Sequence, residues 1–360
     1  MNWYLMGVII FSILLNLFFL RYGFYKLIYR MEIKGRVFEQ GEEIELTSII
    51  ENRKPLTVTF LYVGEKFPRY FNPRSNNYPL FIMPFQRVKR TYKLKVSRRG
   101  LYRMYDVHLT LGDFIGFGSR NKEIPNDNEL IILPQRADLT EAIVPLGSYT
   151  GDISVKRWII HDPLMTVGIR EYTGNEPERY IHWPSTLRYG QLMVKNFDFT
   201  TDNSVVVVLN IETQKPCGLP VEAEMIERVI SIARTVMEDF DEQGIPYGFA
   251  VNIYEESLEN RGYFFPQGLG SHHLRSFLEI LGAIDYRVPS FFERTLENVQ
   301  KRQGRFTTGV VITPRILPTY VEPINQLSRG LSRTVVISLE DELLSELNPN
   351  ILKYRGREDV

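Results

Sequence analysis

From Trp3 to Leu20 the chain reads WYLMGVIIFSILLNLFFL, without a charge and with only Ser12 and Asn16 polar. At ~1.5 Å per residue that run spans about 27 Å, close to the thickness of a bilayer's hydrocarbon core. A cleaved signal would carry positive charge before the run and a small-residue cleavage site after it. Here no Lys or Arg precedes it; Arg21, Lys26 and Arg30 follow, with Tyr22, Phe24, Tyr25 and Tyr29 beside them. This order predicts an uncleaved anchor within residues 1–30, aromatics at the interface and the remaining chain on the cytoplasmic side.

Residues 31–135 carry strand signals and almost no helical period. Ile44-Glu45-Leu46 and Val58 to Val63 are rich in β-branched and aromatic residues, with the turn Asn52-Arg53-Lys54-Pro55 between them. Thr91 to Val96 alternates, Arg99-Gly100 turns, Leu101 to Leu111 reads as one strand, and Leu130 to Leu133 ends at Pro134. Short strands at this spacing predict a small β-sandwich, a module that binds or spaces and carries no catalytic pattern.

After residue 200 the period changes. Ser204 to Leu209 (SVVVVL) is a continuous apolar run, the pattern of a strand buried on both faces. Pro220 and Val221 open a helix to about Gln243, with Ile226, Val229, Ile230, Ala233, Val236, Met237 and Phe240 at i, i+3, i+4, i+7 spacing and Gly244 as its stop. Tyr247–Tyr254 is the next strand, Leu274 to Leu281 a second helix ended by Gly282, and Ser290–Arg302 a third. Thr308–Ile312 and Thr334–Leu339 complete the strands. Alternation of this kind predicts βα units and a mainly parallel sheet covered by helices on both faces. The residues after Leu209 lack the glycine fingerprint of a dinucleotide site, and no Walker A sequence occurs.

Composition narrows the chemistry. The 43 Lys and Arg balance 43 Asp and Glu, which argues against a dedicated nucleic-acid binder. A single cysteine, Cys217, excludes an intramolecular disulfide framework and Cys-rich metal clusters. Of the five histidines, His272-His273 are adjacent rather than four apart and so do not form a metal pair on a helix. His161 and His182 have no recognisable nucleophile beside them. Cys217 has neither a base nor an orienting group in its turn. Gly268-Leu269-Gly270-Ser271 before the second helix is weak as an anion cradle and reads better as a turn.

Residues 136–200 link the two parts, and 168–197 (GIREYTGNEPERYIHWPSTLRYGQLMVKNF) are polar and aromatic. Arg170, Tyr172, Gly174, Arg179, Ile181, Trp183, Ser185, Arg188, Leu192 and Lys195 fall in step with the pattern R-x-Y-x-x-G-D-x-x-R-x-I-x-W-x-x-[ST]-A-R, then Leu and a basic residue. Upstream, Arg98-Arg99-Gly100-Leu101-Tyr102 and Asp113-Phe114-Ile115-Gly116-Phe117 are similar to R-R-G-x-Y and D-P-F-G-L elements. Together these resemble the domain-of-unknown-function-58 family over most of the chain. Asn175 and Thr186 stand where that family usually has Asp and Ala, Ile115 interrupts the third element, and one span replaces the usual two.

The resemblance implies an N-terminal transmembrane helix, a β-sandwich, and an α/β von Willebrand factor A-like, Rossmann-like domain over 201–360. It also implies a MoxR-type AAA+ ATPase as partner, a transglutaminase-like protein as a further neighbour, and a non-enzymatic adaptor role at the membrane. A-like domains often hold Mg²⁺ on an Asp-x-Ser-x-Ser loop after their first strand. Asn210, Glu212 and Gln214 occupy those places here and Thr313-Pro314 the place of a later Asp, so the site reads as degenerate and empty, with ordinary loop polarity as the simpler account. For the signature, Arg170, Tyr172, Arg179, His182, Trp183, Arg188 and Lys195 read either as an anion or acidic-partner surface or as a structural clamp. In the clamp, the arginines pair with Glu171, Glu176 and Glu178 and Trp183 packs onto the sheet. A metal-assisted hydrolase using Glu212 or His182 is the alternative from another class.

Overall fold

The computed structural model describes residues 2–112, 118–145, 166–172, 181–197, 204–215, 222–253, 262–285 and 290–357. The chain divides into two compact units, Met1–Gln135 with Leu278–Ile284, and Arg136–Phe277 with Asp285–Val360.

The first unit opens with helix α1 (Asn2–Tyr22). It is apolar on every side, and Trp3, Leu5, Val8, Phe11, Leu14 and Phe18 are all exposed. It is long and apolar enough to cross a membrane. Its C-terminal carbonyls, which lack partners within the helix, are met by cations. Arg120 donates to the Arg21 carbonyl at 3.0 Å, and Lys54 donates to that of Gly23. Gly23 is required at this junction, since a Cβ there would lie 1.9 Å from Leu111 Cδ2 and 2.9 Å from the Phe19 carbonyl.

Eleven strands follow: β1 (Leu27–Ile33), β2 (Val37–Phe38), β3 (Glu43–Asn52), β4 (Val58–Lys66), β5 (Phe71–Asn72), β6 (Ser75–Ile82), β7 (Arg87–Val96), β8 (Gly100–Arg103), β9 (Val107–Gly112), β10 (Ser119–Ile124) and β11 (Glu129–Ile132). They form sheets of order β1-β3-β7-β5, β10-β9-β4-β6 and β2-β11-β8. Tyr29 and Ile50 of the first sheet share one core with Leu61, Val63, Tyr78, Leu109 and Leu111 of the second, so the two face each other as a sandwich. Strand β1 begins at Leu27, so the sandwich takes in the last residues of the segment expected as anchor. Leu101–Leu111 is two strands rather than one. Met104-Tyr105-Asp106 separate them; β8 pairs with β11, whereas β9 pairs with β4 and β10.

Between the sheets lies a buried carboxylate, Glu65. Its Oε1 accepts from Tyr29 (2.6 Å), Ser48 (2.5 Å) and Tyr78 (3.0 Å), and its Oε2 from Tyr92 (2.5 Å) and Asn76 (3.2 Å). The donors come from β1, β3 and β7 on one side and β6 on the other, so one side chain bonds both sheets.

The second unit begins with a short helix α2 (Leu139–Ala142) and β12 (Ile143–Pro145). A two-stranded ribbon, β13 (Thr166–Glu171) with β14 (Met193–Phe197), brackets helix α3 (Trp183–Tyr189). The main sheet then uses β15 (Val205–Leu209), β16 (Tyr247–Val251), β17 (Tyr263–Gly268), β18 (Thr308–Thr313), β19 (Arg333–Ser338) and β20 (Leu352–Gly356), in the order β12-β20-β19-β18-β15-β16-β17. Strands β16, β15, β18, β19 and β20 are parallel, and β17 and β12 run antiparallel at the edges.

Helix α4 (Ala223–Glu242) buries the apolar stripe read from its spacing, and Gly244 ends it at φ 70°. Phe240 of α4 and Phe277 of α5 (Ser271–Ala283) meet the Tyr247 ring on one sheet face. On the other face Val206, Val208, Val311 and Val336 pack against α6 (Phe292–Gln300) and α7 (Pro318–Arg329). The sheet is therefore doubly wound. The strand order reverses between β15 and β18, the place where open α/β sheets form a crevice beyond their carboxyl ends.

Candidate functional site

That crevice is filled by the unit's own side chains. Asn210, directly after β15, is buried and makes all four hydrogen bonds its amide can make. Its Oδ1 accepts from Asn252 Nδ2 and from the Glu212 N–H, both at 2.8 Å. Its Nδ2 donates to Thr313 Oγ1 at 2.9 Å and to the Glu212 carbonyl at 3.2 Å. Asn252, directly after β16, accepts from the Ile211 N–H at 2.7 Å and donates to the Ser290 carbonyl at 3.0 Å. Thr313, at the end of β18, passes its own proton to the Arg315 carbonyl at 2.7 Å.

Glu212 is 1% exposed. Its Oε2 accepts from Tyr320 Oη at 2.5 Å and from the Phe292 N–H at 3.3 Å, at the first turn of α6. Burial, then the Glu212 charge, pushes the Tyr320 phenol far above its ordinary value. The Lys215 ammonium pairs with Glu293 and lies 5.4 Å from the Tyr320 ring centre. Burial raises the Glu293 carboxyl, but hydrogen bonds from Lys215 and Thr319 and the Lys215 charge outweigh it, leaving a net lowering.

These residues do not fit a Mg²⁺ site. The cation needs free oxygen lone pairs in octahedral array, and those of Asn210 are spent within the network. Among the described residues no group of three His, Cys, Asp or Glu side chains could hold a metal. The simpler account from sequence, loop polarity, is also corrected: Asn210 and Glu212 lie in the interior, and Gln214 is half-buried. Thr313, read from sequence as standing in the place of a later Asp, is one of these partners, whereas Asn252 and Tyr320 carry no such reading. The available signal was a polar residue directly after the all-apolar end of each of two strands, Leu209-Asn210 and Val251-Asn252.

The described signature residues lie on β13, α3 and the residues beside them. His182 caps α3, with Nδ1 2.8 Å from Ser185 Oγ and 3.3 Å from the Ser185 N–H that donates to it; the Gly190 cap closes the helix at φ 71°. This gives His182 a capping role. Tyr172 is half-buried, its N–H donating to the Leu192 carbonyl at 2.9 Å. Arg170 and Arg188 are exposed, with an Arg170 Nη1 contact to the Glu171 carbonyl at 3.4 Å, and the Glu171 side chain accepts from Gln191 at 2.6 Å. Trp183 is 60% exposed, and Leu187, one turn along the same stripe of α3, is 84% exposed. Of the two readings left open from sequence, packing of Trp183 onto the sheet does not agree with this exposure. Arg179, the Lys195 side chain, Gly174, Asn175, Glu176, Glu178, His161, Cys217 and Asp113–Phe117 lie outside the described residues.

Two smaller motifs have structural duties. In the first unit, Arg99 is buried and its Nη1 donates to the carbonyls of Leu281 (2.9 Å), Gly282 (3.3 Å) and Ile284 (3.1 Å), in the segment Leu278–Ile284 of that same unit. This serves the C-terminal carbonyls of α5 with a cation. In the second unit the Gly270 N–H donates to Asp241 Oδ1 at 2.8 Å, so that loop already faces an anionic side chain.

Fold and site together define, among the described residues, one membrane-length apolar helix, a β-sandwich and a doubly wound α/β unit whose crevice holds its own side chains. No protein-family model matches this chain, and no curated protein matches it. Among solved structures it is similar to the CARDB domain of the PF1109 protein of Pyrococcus furiosus, a crystal structure in complex with di-metal ions. That likeness has 18% identity and a TM-score of 0.20, and covers 29% of this chain and 93% of that one. The solution structure of the same domain is similar at 15% identity and TM-score 0.21, over 30% and 94% of the two chains. The sandwich assignment rests on the strand pairing and shared core, not on likeness at this level.

Proposed function

We propose that this chain is a membrane-anchored interaction protein of the domain-of-unknown-function-58 kind. In this reading it is held by α1 with its body in the cytoplasm, and it docks a MoxR-type AAA+ ATPase that acts in assembly or maturation of other proteins. The α/β unit is read as von Willebrand factor A-like, which its doubly wound order with antiparallel β17 supports. The orientation is supported by Arg21, Lys26 and Arg30 directly after the apolar run. The ATPase as partner comes from the family resemblance alone.

The observation that carries the docking surface is the exposure of Trp183 and Leu187 on one stripe of a short, doubly capped helix. A tryptophan held open on a doubly capped helix, with the exposed Arg188 on the same helix and the exposed Arg170 on β13, has the composition of an interface anchor with a basic rim. The self-filled crevice supports a binding role over metal-assisted hydrolysis, because Glu212 is sealed from solvent by its own partners.

The test is capture from native lysate by the full chain in nanodiscs, with and without ATP, beside a Trp183→Ala, Leu187→Ala variant. Both side chains are exposed, so the variant's unfolding midpoint stays within about 0.5 kcal/mol of the parent. An AAA+ ATPase captured by the parent falls about 30-fold in affinity for the variant, the value of one ~2 kcal/mol anchor. Equal capture by both would move docking off α3, and capture of no ATPase by either would overturn the proposed partner.

A further inference from the structure

The sandwich carries a second apolar surface that the adaptor reading does not use. Tyr25, Phe60, Phe81, Met83 and Phe85 are each 55–70% exposed. They cluster at one end of the unit. Phe60 on β4 and Phe81 on the neighbouring β6 share the outward face of their sheet. Met83 and Phe85 stand on the turn that carries the chain from β6 to β7, where the Gln86 N–H donates to the Met83 carbonyl at 3.3 Å.

This turn breaks a local rule. Pro84 fixes a negative φ at its second position, and Phe85 at the third has φ 55°. Glycine or asparagine is the ordinary occupant of that place, because a Cβ is strained there. A bulky aromatic held in strained backbone and left in water has no stability rationale, which makes it a candidate for function.

The same end holds the exit of α1. The Phe85 N–H donates to the Lys54 carbonyl at 3.3 Å, Lys54 Nζ donates to the Gly23 carbonyl, and the Arg53 N–H donates to the Lys26 carbonyl at 3.0 Å. Four residues, Gly23–Lys26, separate α1 from β1, and Phe24 is sunk in the sandwich core. There is no linker to let this end drift away from the helix. Twenty-one residues of helix rise about 32 Å, so a spanning α1 ends at the headgroups and brings the turn with it.

We propose that this end of the sandwich is a second membrane contact, in which Tyr25, Phe60, Phe81, Met83 and Phe85 insert into the interfacial layer of the bilayer that α1 crosses. The proposal rests on α1 being a membrane anchor. Aromatic and thioether side chains suit that layer, and Arg21, Lys26 and Arg120 beside them suit anionic headgroups. The occupant is lipid because the helix that enters lipid leaves the sandwich through this same surface.

The test uses the full chain in nanodiscs of phosphatidylcholine and phosphatidylglycerol, in a Cys217→Ser background with one spin-labelled cysteine per sample. Labels at Phe85→Cys and, independently, Met83→Cys are compared with Lys34→Cys at the opposite end of β1 and Leu14→Cys inside α1. Collisions with oxygen report lipid, and collisions with a water-soluble nickel chelate report solvent. The expected result is an oxygen-to-nickel ratio several-fold higher at positions 83 and 85 than at 34, approaching that at 14. Ratios at 83 and 85 equal to that at 34, with position 14 in lipid, would overturn the second contact and leave the anchor intact. A solvent-like ratio at position 14 would overturn the anchor, and the proposal with it.

Discussion

Replacing Glu65 by alanine removes the one acceptor shared by three buried hydroxyls. Tyr29, Ser48 and Tyr78 are at most 7% exposed and converge on Oε1, while the half-buried Tyr92 and Asn76 use Oε2. A buried donor left without its partner costs about 1–3 kcal/mol. Three of them, with water re-bonding part of the loss, put the cost at about 3–5 kcal/mol, the range for breaking a buried charged network. That is a large share of the ~5–15 kcal/mol that holds an ordinary domain together. Because the chain has two units, the readout must be local, and hydrogen exchange read peptide by peptide supplies it. Exchange in β1, β3 and β7 should rise by about 10²- to about 4 × 10³-fold, at ~1.4 kcal/mol per decade, while β15 and β18 in the other unit keep their protection. Glu65→Gln preserves the shape and one acceptor oxygen, so its effect should be smaller. A rise of less than tenfold for Glu65→Ala would refute the view that this carboxylate joins the sheets.

The network predicts an alkaline limb. Burial and then Glu65 hold the Tyr29 phenol, like Tyr78 and, behind Glu212, Tyr320, above the ordinary value of about 10. Above that pH the unfolded chain releases protons the folded chain keeps, so stability present below about pH 10 is lost as pH rises. Lys54 acts in the opposite sense, because burial lowers it to about 8: between about pH 8 and 10 the unfolded state binds more protons and stability climbs. Unfolding midpoints from pH 7 to 11 should therefore rise and then fall, Tyr29→Phe flattening the fall and Lys54→Met the rise; a steady rise would contradict the tyrosine assignment and a steady fall the lysine one. Asn210→Asp places a second carboxylate beside Glu212 and loses the donors to Thr313 and Glu212, so it should cost more than about 2 kcal/mol. Millimolar Mg²⁺ should not raise the melting temperature of the parent, and a rise would mean that Asn210 has lone pairs to spare.

What was legible without coordinates was local. Eighteen residues free of charge make α1 a membrane-length helix by rise alone, Ile226 to Phe240 reveal α4 by their 3.6-residue period, and SVVVVL declares a strand covered on both faces. Each of these follows from one segment's own periodicity. The unread features depend on distant partners. Leu101–Leu111 splits because its halves pair with strands in different sheets, and β17 runs antiparallel to its neighbour although nothing in Tyr263–Gly268 records a direction. Glu65 looks like a surface residue in Val-Gly-Glu-Lys until four strands bring hydroxyl and amide donors to it. Asn210 and Glu212 resemble a weakened metal loop until Asn252, Thr313 and Tyr320 arrive from 42, 103 and 108 residues away to use their oxygens. Trp183 reads equally as core or interface in one dimension, and only packing leaves it open. Sequence alone determined which segments are helix, strand and membrane-length; tertiary structure decided which polar groups are spent on one another and which remain for a partner, because a hydrogen bond needs two groups in place and periodicity describes only one.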